Sequence, residues 1–192
     1  MLKFQSLENK LLPQSPALQN KPRRLFPAQG RSKGLRIDAD GRTYVDFSSN
    51  DYLGLSEHPD IKKALISALD RWPLGSTGSR LLSGDYTILH TLERELAIFC
   101  HKPRVLLFNS GYHANLGVIP TVITSKDGIF LDKYSHASMI DGCRLSGASL
   151  FRYKHEQMLH LKSLLQKNRS SVKKAWILTE SVFSMEGDLA SL

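Results

Sequence analysis

Between Arg104 and Leu178, short apolar runs recur with polar, helix-like stretches between them, and no other feature limits the fold as tightly. The runs are Arg104–Phe108 (RVLLF), Gly128–Leu131 (GIFL), Ser149–Arg152 (SLFR) and Ala175–Leu178 (AWIL). Runs this short, spaced by amphipathic segments, are the pattern of buried strands whose connecting helices cover both faces of a parallel sheet. The spacers fit: one helical stretch runs to about Ile123, another to about Leu145, and a third carries Met158, Leu161, Leu164 and Leu165 on one stripe. The expected class is α/β with a mainly parallel sheet.

Upstream the pattern changes. Leu35–Ile37 and Thr43–Phe47 flank Asp38-Ala39-Asp40-Gly41, so they read as a hairpin whose Asp-Gly supplies the turn. Pro59 opens a helix in which Ile61, Leu65, Ala68, Leu69 and Trp72 share a face, and Pro73 and Gly75 stop it. Gly75–Gly84 holds three glycines and four Ser/Thr residues around Arg80, a long loop of the kind that either connects or functions. A second amphipathic helix follows, with Leu89, Leu92, Leu96 and Phe99 inward and Glu93, Arg94 and Glu95 outward.

Composition removes several classes. Of 192 residues 41% are hydrophobic, too many for a disordered chain, and no run approaches the ~20 apolar residues of a membrane span. The net charge of +8 is concentrated: residues 1–36 carry eight Lys/Arg and one acid, Glu8, which leaves 18 basic and 17 acidic residues elsewhere. Such an arm suits an anionic small molecule, a nucleic acid or a membrane surface, or simply stays solvated. No nucleic-acid motif and no interleaved aromatics accompany it, so neither a nucleic-acid nor a membrane partner is expected. Met1–Asn20 has no secretory apolar core, and Cys100 and Cys143 share no metal or disulfide spacing, so a reduced cytoplasmic setting is expected and no metal.

In a parallel α/β sheet, ligands bind beyond the carboxyl ends of the strands. After RVLLF comes Asn109-Ser110-Gly111-Tyr112-His113-Ala114-Asn115, where a glycine and a helix start together suit a phosphate or serve as an ordinary cap. After GIFL comes Asp132-Lys133-Tyr134-Ser135-His136-Ala137-Ser138, with a histidine placed to cap, to move a proton or to stack on a planar ring. After AWIL, Thr179–Asp188 brings hydroxyls and carboxylates to the same edge. Three polar strand ends imply one shared pocket for a phosphorylated ligand. Zinc-protease, CxxC, GxSxG, P-loop and GxGxxG signatures are all absent, so hydride transfer and nucleotide chemistry have no motif support.

These stretches also carry a resemblance. Asp46-Phe47-Ser48-Ser49-Asn50-Asp51-Tyr52-Leu53-Gly54-Leu55, Gly75–Arg80, Leu106–Asn115, Ser135-His136-Ala137-Ser138 and Thr179–Asp188 occur in order, and the series resembles the α-oxoamine synthases, pyridoxal-phosphate (PLP) enzymes of the aspartate aminotransferase fold, fold type I. The resemblance implies a basic arm and small strand pair over 1–45 and part of a PLP-binding large domain over 46–192. It implies decarboxylative condensation of L-alanine with pimeloyl-CoA or a pimeloyl-carrier thioester, the branch that serves biotin synthesis. The alternatives are branches that use glycine with acetyl- or succinyl-CoA, or a non-catalytic partner subunit.

By motif match, Gly111 and Tyr112 are expected at the cofactor phosphate and Ser184 at its phenolic oxygen. His136 is expected as the catalytic residue that stacks over the pyridine ring and positions the amino acid. Arg23 is expected at the substrate entrance, meeting an anionic acyl donor. The Gly75–Arg80 loop is expected at a homodimer interface. The family's aspartate, second histidine and Schiff-base lysine fall after the last motif matched here, so residues 1–192 are expected to be inactive alone, and Lys133 is expected to be a rim lysine.

Overall fold

A computed structural model describes residues 28–32, 35–38 and 42–191, the first two segments as backbone only. The chain divides into two compact units, one ending at Gly84 and the other beginning at Asp85.

In the first unit, β1 (Ala28–Ser32), β2 (Leu35–Asp38) and β3 (Thr43–Val45) form an antiparallel sheet in that order. The β2–β3 pair is the expected hairpin, with Ile37 opposite Thr43 and Leu35 opposite Val45; residues 39–41 of its turn lie outside the described residues. Strand β1 was not expected. Its sequence, AQGRS, has no apolar alternation, and it joins through backbone pairing to β2 with an irregularity between Ala28 and Gly30. Helix α1 (Pro59–Leu69) starts where Pro59 needs no donor partner and the His58 imidazole accepts the Asp60 N–H at 3.3 Å. It ends at Leu69, short of Trp72, where the Arg71 N–H makes a tighter i→i−3 bond to the Ala68 carbonyl. The Gly75–Gly84 loop folds on itself: the N–H groups of Leu82 and Gly84 both reach the Ser79 carbonyl at 2.9 Å. A Cβ at Gly84 would overlap the Gly78 carbonyl.

The second unit is built on a parallel sheet of order β5-β4-β6, formed by β4 (Gly128–Asp132), β5 (Ser149–Tyr153) and β6 (Ala175–Leu178). All five residues of the central β4 are buried. Side chains alternate across a strand, so Ile129 and Leu131 face one core and Phe130 the other. The first core gathers Ile119, Ile123, Met139 and Cys143 from α3 (Gly111–Val122), its end, and α4 (Ala137–Ser146). The second gathers Tyr153 and Leu161, the latter from α5 (Met158–Asn168). Both sheet faces are thus covered by helices, as the runs imply. Before α3 runs α2 (Thr87–Phe99).

Two close approaches hold this layer together. A Cβ at Gly142 would lie 2.8 Å from the Asn115 carbonyl oxygen and 3.0 Å from Ile119 Cδ1, so this glycine lets α3 and α4 close. Asp127, buried ahead of β4, accepts the N–H and hydroxyl of Thr124 and the N–H of Lys174, tying the entrances of β4 and β6. Those donors, the Thr124 N–H foremost, hold its carboxyl below the usual range against the opposing effect of burial.

Two expectations fail in this unit. RVLLF is not a strand: no described strand lies alongside it, and the Leu107 N–H donates instead to Glu93 Oε1 at 3.0 Å. Glu93, expected outward, therefore turns in, while Leu92 and Phe99 of the expected inner stripe are exposed. A lone apolar run cannot become a strand without a partner for its backbone groups. Cys100 is exposed and Cys143 buried, both as free thiols, and burial pushes the Cys143 thiol up.

Candidate functional site

At the carboxyl end of the sheet a cleft of about 610 Å³ is lined by Gly111, Tyr112, Asn115, His136, Ser138 and Glu180, among others. Three chain segments meet there, the starts of α3 and α4 and the loop after β6.

The α3 segment supplies a capped helix start that opens on the cleft. Ser110 caps it, its hydroxyl accepting the His113 N–H at 3.2 Å. The N–H groups of Gly111 and Tyr112 belong to the first turn and have no partner within the helix. A Cβ at Gly111 would meet nothing within 4 Å, so its backbone is open to a ligand. The Tyr112 hydroxyl donates to Asp141 Oδ2 of α4 at 2.5 Å; that bond, then partial burial and the carboxylate charge, raise the phenol above its ordinary value.

The α4 segment supplies an aromatic nitrogen base. His136 is the N-cap of α4: its Nδ1 accepts the Ser138 N–H at 3.2 Å and lies 2.7 Å from the Ser138 hydroxyl. Asn115 Nδ2 donates to the same hydroxyl at 2.9 Å. The His136 main-chain N–H donates to Glu180 Oε1 at 2.5 Å, which fastens the strand end to the loop after β6. The His136 and Tyr112 rings stand edge to face, 6.4 Å apart at 81°. The exposed His136 ring is available to a planar ligand.

Of the residues singled out by sequence, Gly111, Tyr112 and His136 come together here. Ser184 lies exposed in the turn after Phe183 and is not among the cleft-lining residues. Arg23 lies outside the described residues. Lys133 is exposed. Asn115, Ser138, Asp141 and Glu180 enter the site without a role assigned from sequence. The one available signal was position: Asn115 is one helical turn after Gly111, and Ser138 sits two residues after His136.

A second polar cluster supports the strand end from behind. Buried Asp132 accepts the Tyr134 N–H at 2.8 Å, the Glu156 N–H at 3.2 Å and His155 Nδ1 at 3.0 Å. His155 Nε2 meets Asp188 at 3.2 Å, and its ring stacks on Tyr134 with centroids 4.4 Å apart. Desolvation pulls the imidazolium down, but the bonds to Asp132 and then Asp188 outweigh it and hold His155 above its ordinary value. The sequence reading had no role for His155.

Known proteins are similar to this chain in sequence and in fold. A family model for aminotransferase class I and II matches residues 42–192. The 8-amino-7-oxononanoate synthase of Methylobacterium sp. (strain 4-46) is 46% identical over 88% of this chain and 44% of its own length. That of Thermoanaerobacter pseudethanolicus is 45% identical over 83% of this chain and 40% of its own. The chain thus spans less than half the length of the curated relatives it matches. Among solved structures, a variant serine palmitoyltransferase from S. paucimobilis with bound PLP–myriocin aldimine superposes with a TM-score of 0.81 at 30% identity, covering 88% of this chain and 42% of that one. An 8-amino-7-oxononanoate synthase from Francisella tularensis gives 0.60 at 39% identity, covering 76% of this chain and 39% of that one. The parallel sheet and its helices are therefore part of a PLP-dependent transferase fold, and the chain belongs to the aminotransferase class I and II family.

Proposed function

We propose that this chain forms the phosphate- and ring-binding portion of an 8-amino-7-oxononanoate synthase. In this reading a cytoplasmic homodimer condenses L-alanine with pimeloyl-CoA or a pimeloyl-carrier thioester and releases carbon dioxide. The observation that carries the proposal is the cleft itself, in which an open, capped helix start and an exposed histidine face one space. Identity near 45% to several synthases of this name supports the substrate choice.

The residues fit PLP. Gly111 and Tyr112 would hold the phosphate through their first-turn N–H groups and the helix dipole. Ser110 helps by spending its hydroxyl on the His113 N–H, which leaves the outer donors to the ligand. His136 would lie against the pyridine ring and help orient the amino acid. PLP, when bound, supplies the electron sink for the charge left at the substrate α-carbon. Ser184 is assigned to the phenolic oxygen of the cofactor, Arg23 to the acyl-donor entrance and Gly75–Arg80 to the dimer interface, on motif match.

The test is calorimetric titration of the purified chain with PLP, followed by borohydride reduction and mass mapping. Saturable binding is expected that is lost in Gly111→Asp, where a carboxylate meets the phosphate, with no lysine adduct. A specific adduct on Lys133 would overturn the assignment of the anchor to a lysine after the last matched motif. A chimera joining residues 1–192 to the remaining sequence of the Methylobacterium relative is expected to release CoA from pimeloyl-CoA with alanine. Turnover with glycine alone would move the assignment to a sister branch.

A further inference from the structure

We propose that Asn115 and Ser138 are positioning residues that lock neutral His136 as its Nε2–H tautomer, leaving that N–H as the ring's donor to the cleft. The proposal rests on His136 as the ring-facing residue of the site and adds the groups that orient it.

The direction of each hydrogen bond follows from one fixed donor. The Ser138 main-chain N–H can only donate, and it points at His136 Nδ1 from 3.2 Å. In a neutral imidazole one nitrogen carries the proton and the other accepts. Nδ1 is therefore the acceptor, and Nε2 carries the proton.

The Ser138 hydroxyl, 2.7 Å from the same nitrogen, must then donate to it as well. Its proton stays on that nitrogen as long as the neighbouring amide offers it a donor and not a competing acceptor. Asn115 Nδ2 supplies that donor at 2.9 Å from across the α3–α4 contact. An amide turned the other way would offer an oxygen, attract the hydroxyl proton and take it from Nδ1. Ser138 is 1% exposed, so water does not compete for either bond. The ring is further steadied by its own main chain, whose N–H is taken by Glu180. The chain Asn115→Ser138→His136 thus ends on an N–H donor beside the cleft, suited to an acceptor such as a substrate carboxylate.

The tautomer can be read directly from the ring nitrogens. The full chain is prepared with ¹⁵N-histidine, His136 is assigned with His136→Gln, and long-range ¹H–¹⁵N correlations are recorded above the imidazole titration. Wild type is expected to show Nδ1 in the unprotonated range and Nε2 in the protonated one. In Asn115→Asp the carboxylate claims the hydroxyl proton, so Ser138 turns a lone pair toward the ring. The Nδ1 signal should then shift toward its protonated position. Ser138→Ala should give a smaller shift the same way, since the main-chain donor remains, and Ser138→Thr should restore the wild-type values.

A protonated Nδ1 in wild type would overturn the proposal, as would unaltered ring shifts in both Asn115→Asp and Ser138→Ala. The His155 resonances report folding in every sample; if Asn115→Asp loses them, the Ser138→Ala and Ser138→Thr pair decides. No PLP is present in this measurement, so its failure and a failure of the cofactor reading are separate results.

Discussion

Strand β4 and helix α1 are both apolar by sequence, yet they end in opposite environments. Phe130 in β4 is fully buried, with Phe151 stacked on it at 5.0 Å, whereas Leu65 in α1 is 61% exposed. The strand is enclosed because its neighbours arrive from the same stretch of chain, through two right-sized crossovers of parallel sheet. The helix carries an equally clear stripe, but no described element of its own unit covers it. A periodic apolar face states that a partner is needed and says nothing about which segment provides it.

The largest test of this contrast is Phe130→Ala, which should cost about 3–5 kcal/mol by emptying a fully buried site in the core it shares with Tyr153 and Leu161. Urea unfolding of the chain, followed by circular dichroism, measures it. A cost near that of a surface change would mean that the sheet is not the stabilising centre.

An intermediate effect is expected at His155, which ties the β4 end to the segment at Asp188. Its folded-state value is raised above the ordinary one of about 6.5. Its contribution is therefore fully present below the unfolded value and is lost as pH rises through the folded one. Wild type should lose urea midpoint relative to His155→Gln as pH rises from below the ordinary imidazole value through the raised folded one, by the linkage slope. Curves that stay parallel across that range would show that the imidazolium does not hold these segments.

The smallest effect belongs to Leu65→Ala, within about 0.5 kcal/mol in the isolated chain, as for other exposed positions. The same urea experiment reads it. A cost above ~2 kcal/mol would show that α1 is covered and would erase the contrast with β4.

The same distinction marks how much was legible in the sequence. GIFL, SLFR and AWIL all became strands because each pairs with another of the three. RVLLF did not, although its residues are as apolar, because strand formation depends on a neighbour and not on composition. In the site, Gly111, Tyr112 and His136 could be named, since each sits at a strand end or helix start that local pattern reveals. Asn115, Asp141 and Glu180 could not. Their bonds span 23, 29 and 44 residues, and only the register of α3, α4 and β6 brings them together. His155 escaped notice for the same reason, its partners lying 23 and 33 residues away.

Gly142 is not among the residues that line the cleft, yet it governs what the cleft can become. Because only a hydrogen fits between it and the Asn115 carbonyl, the gap between α3 and α4 is set by the smallest residue available. Any larger side chain would push the helices apart and, with them, the two halves of the polar chain that ends on His136. The separation of the two walls is therefore inherited from a single hydrogen atom, and any change to the residues that line them has to be made within that distance.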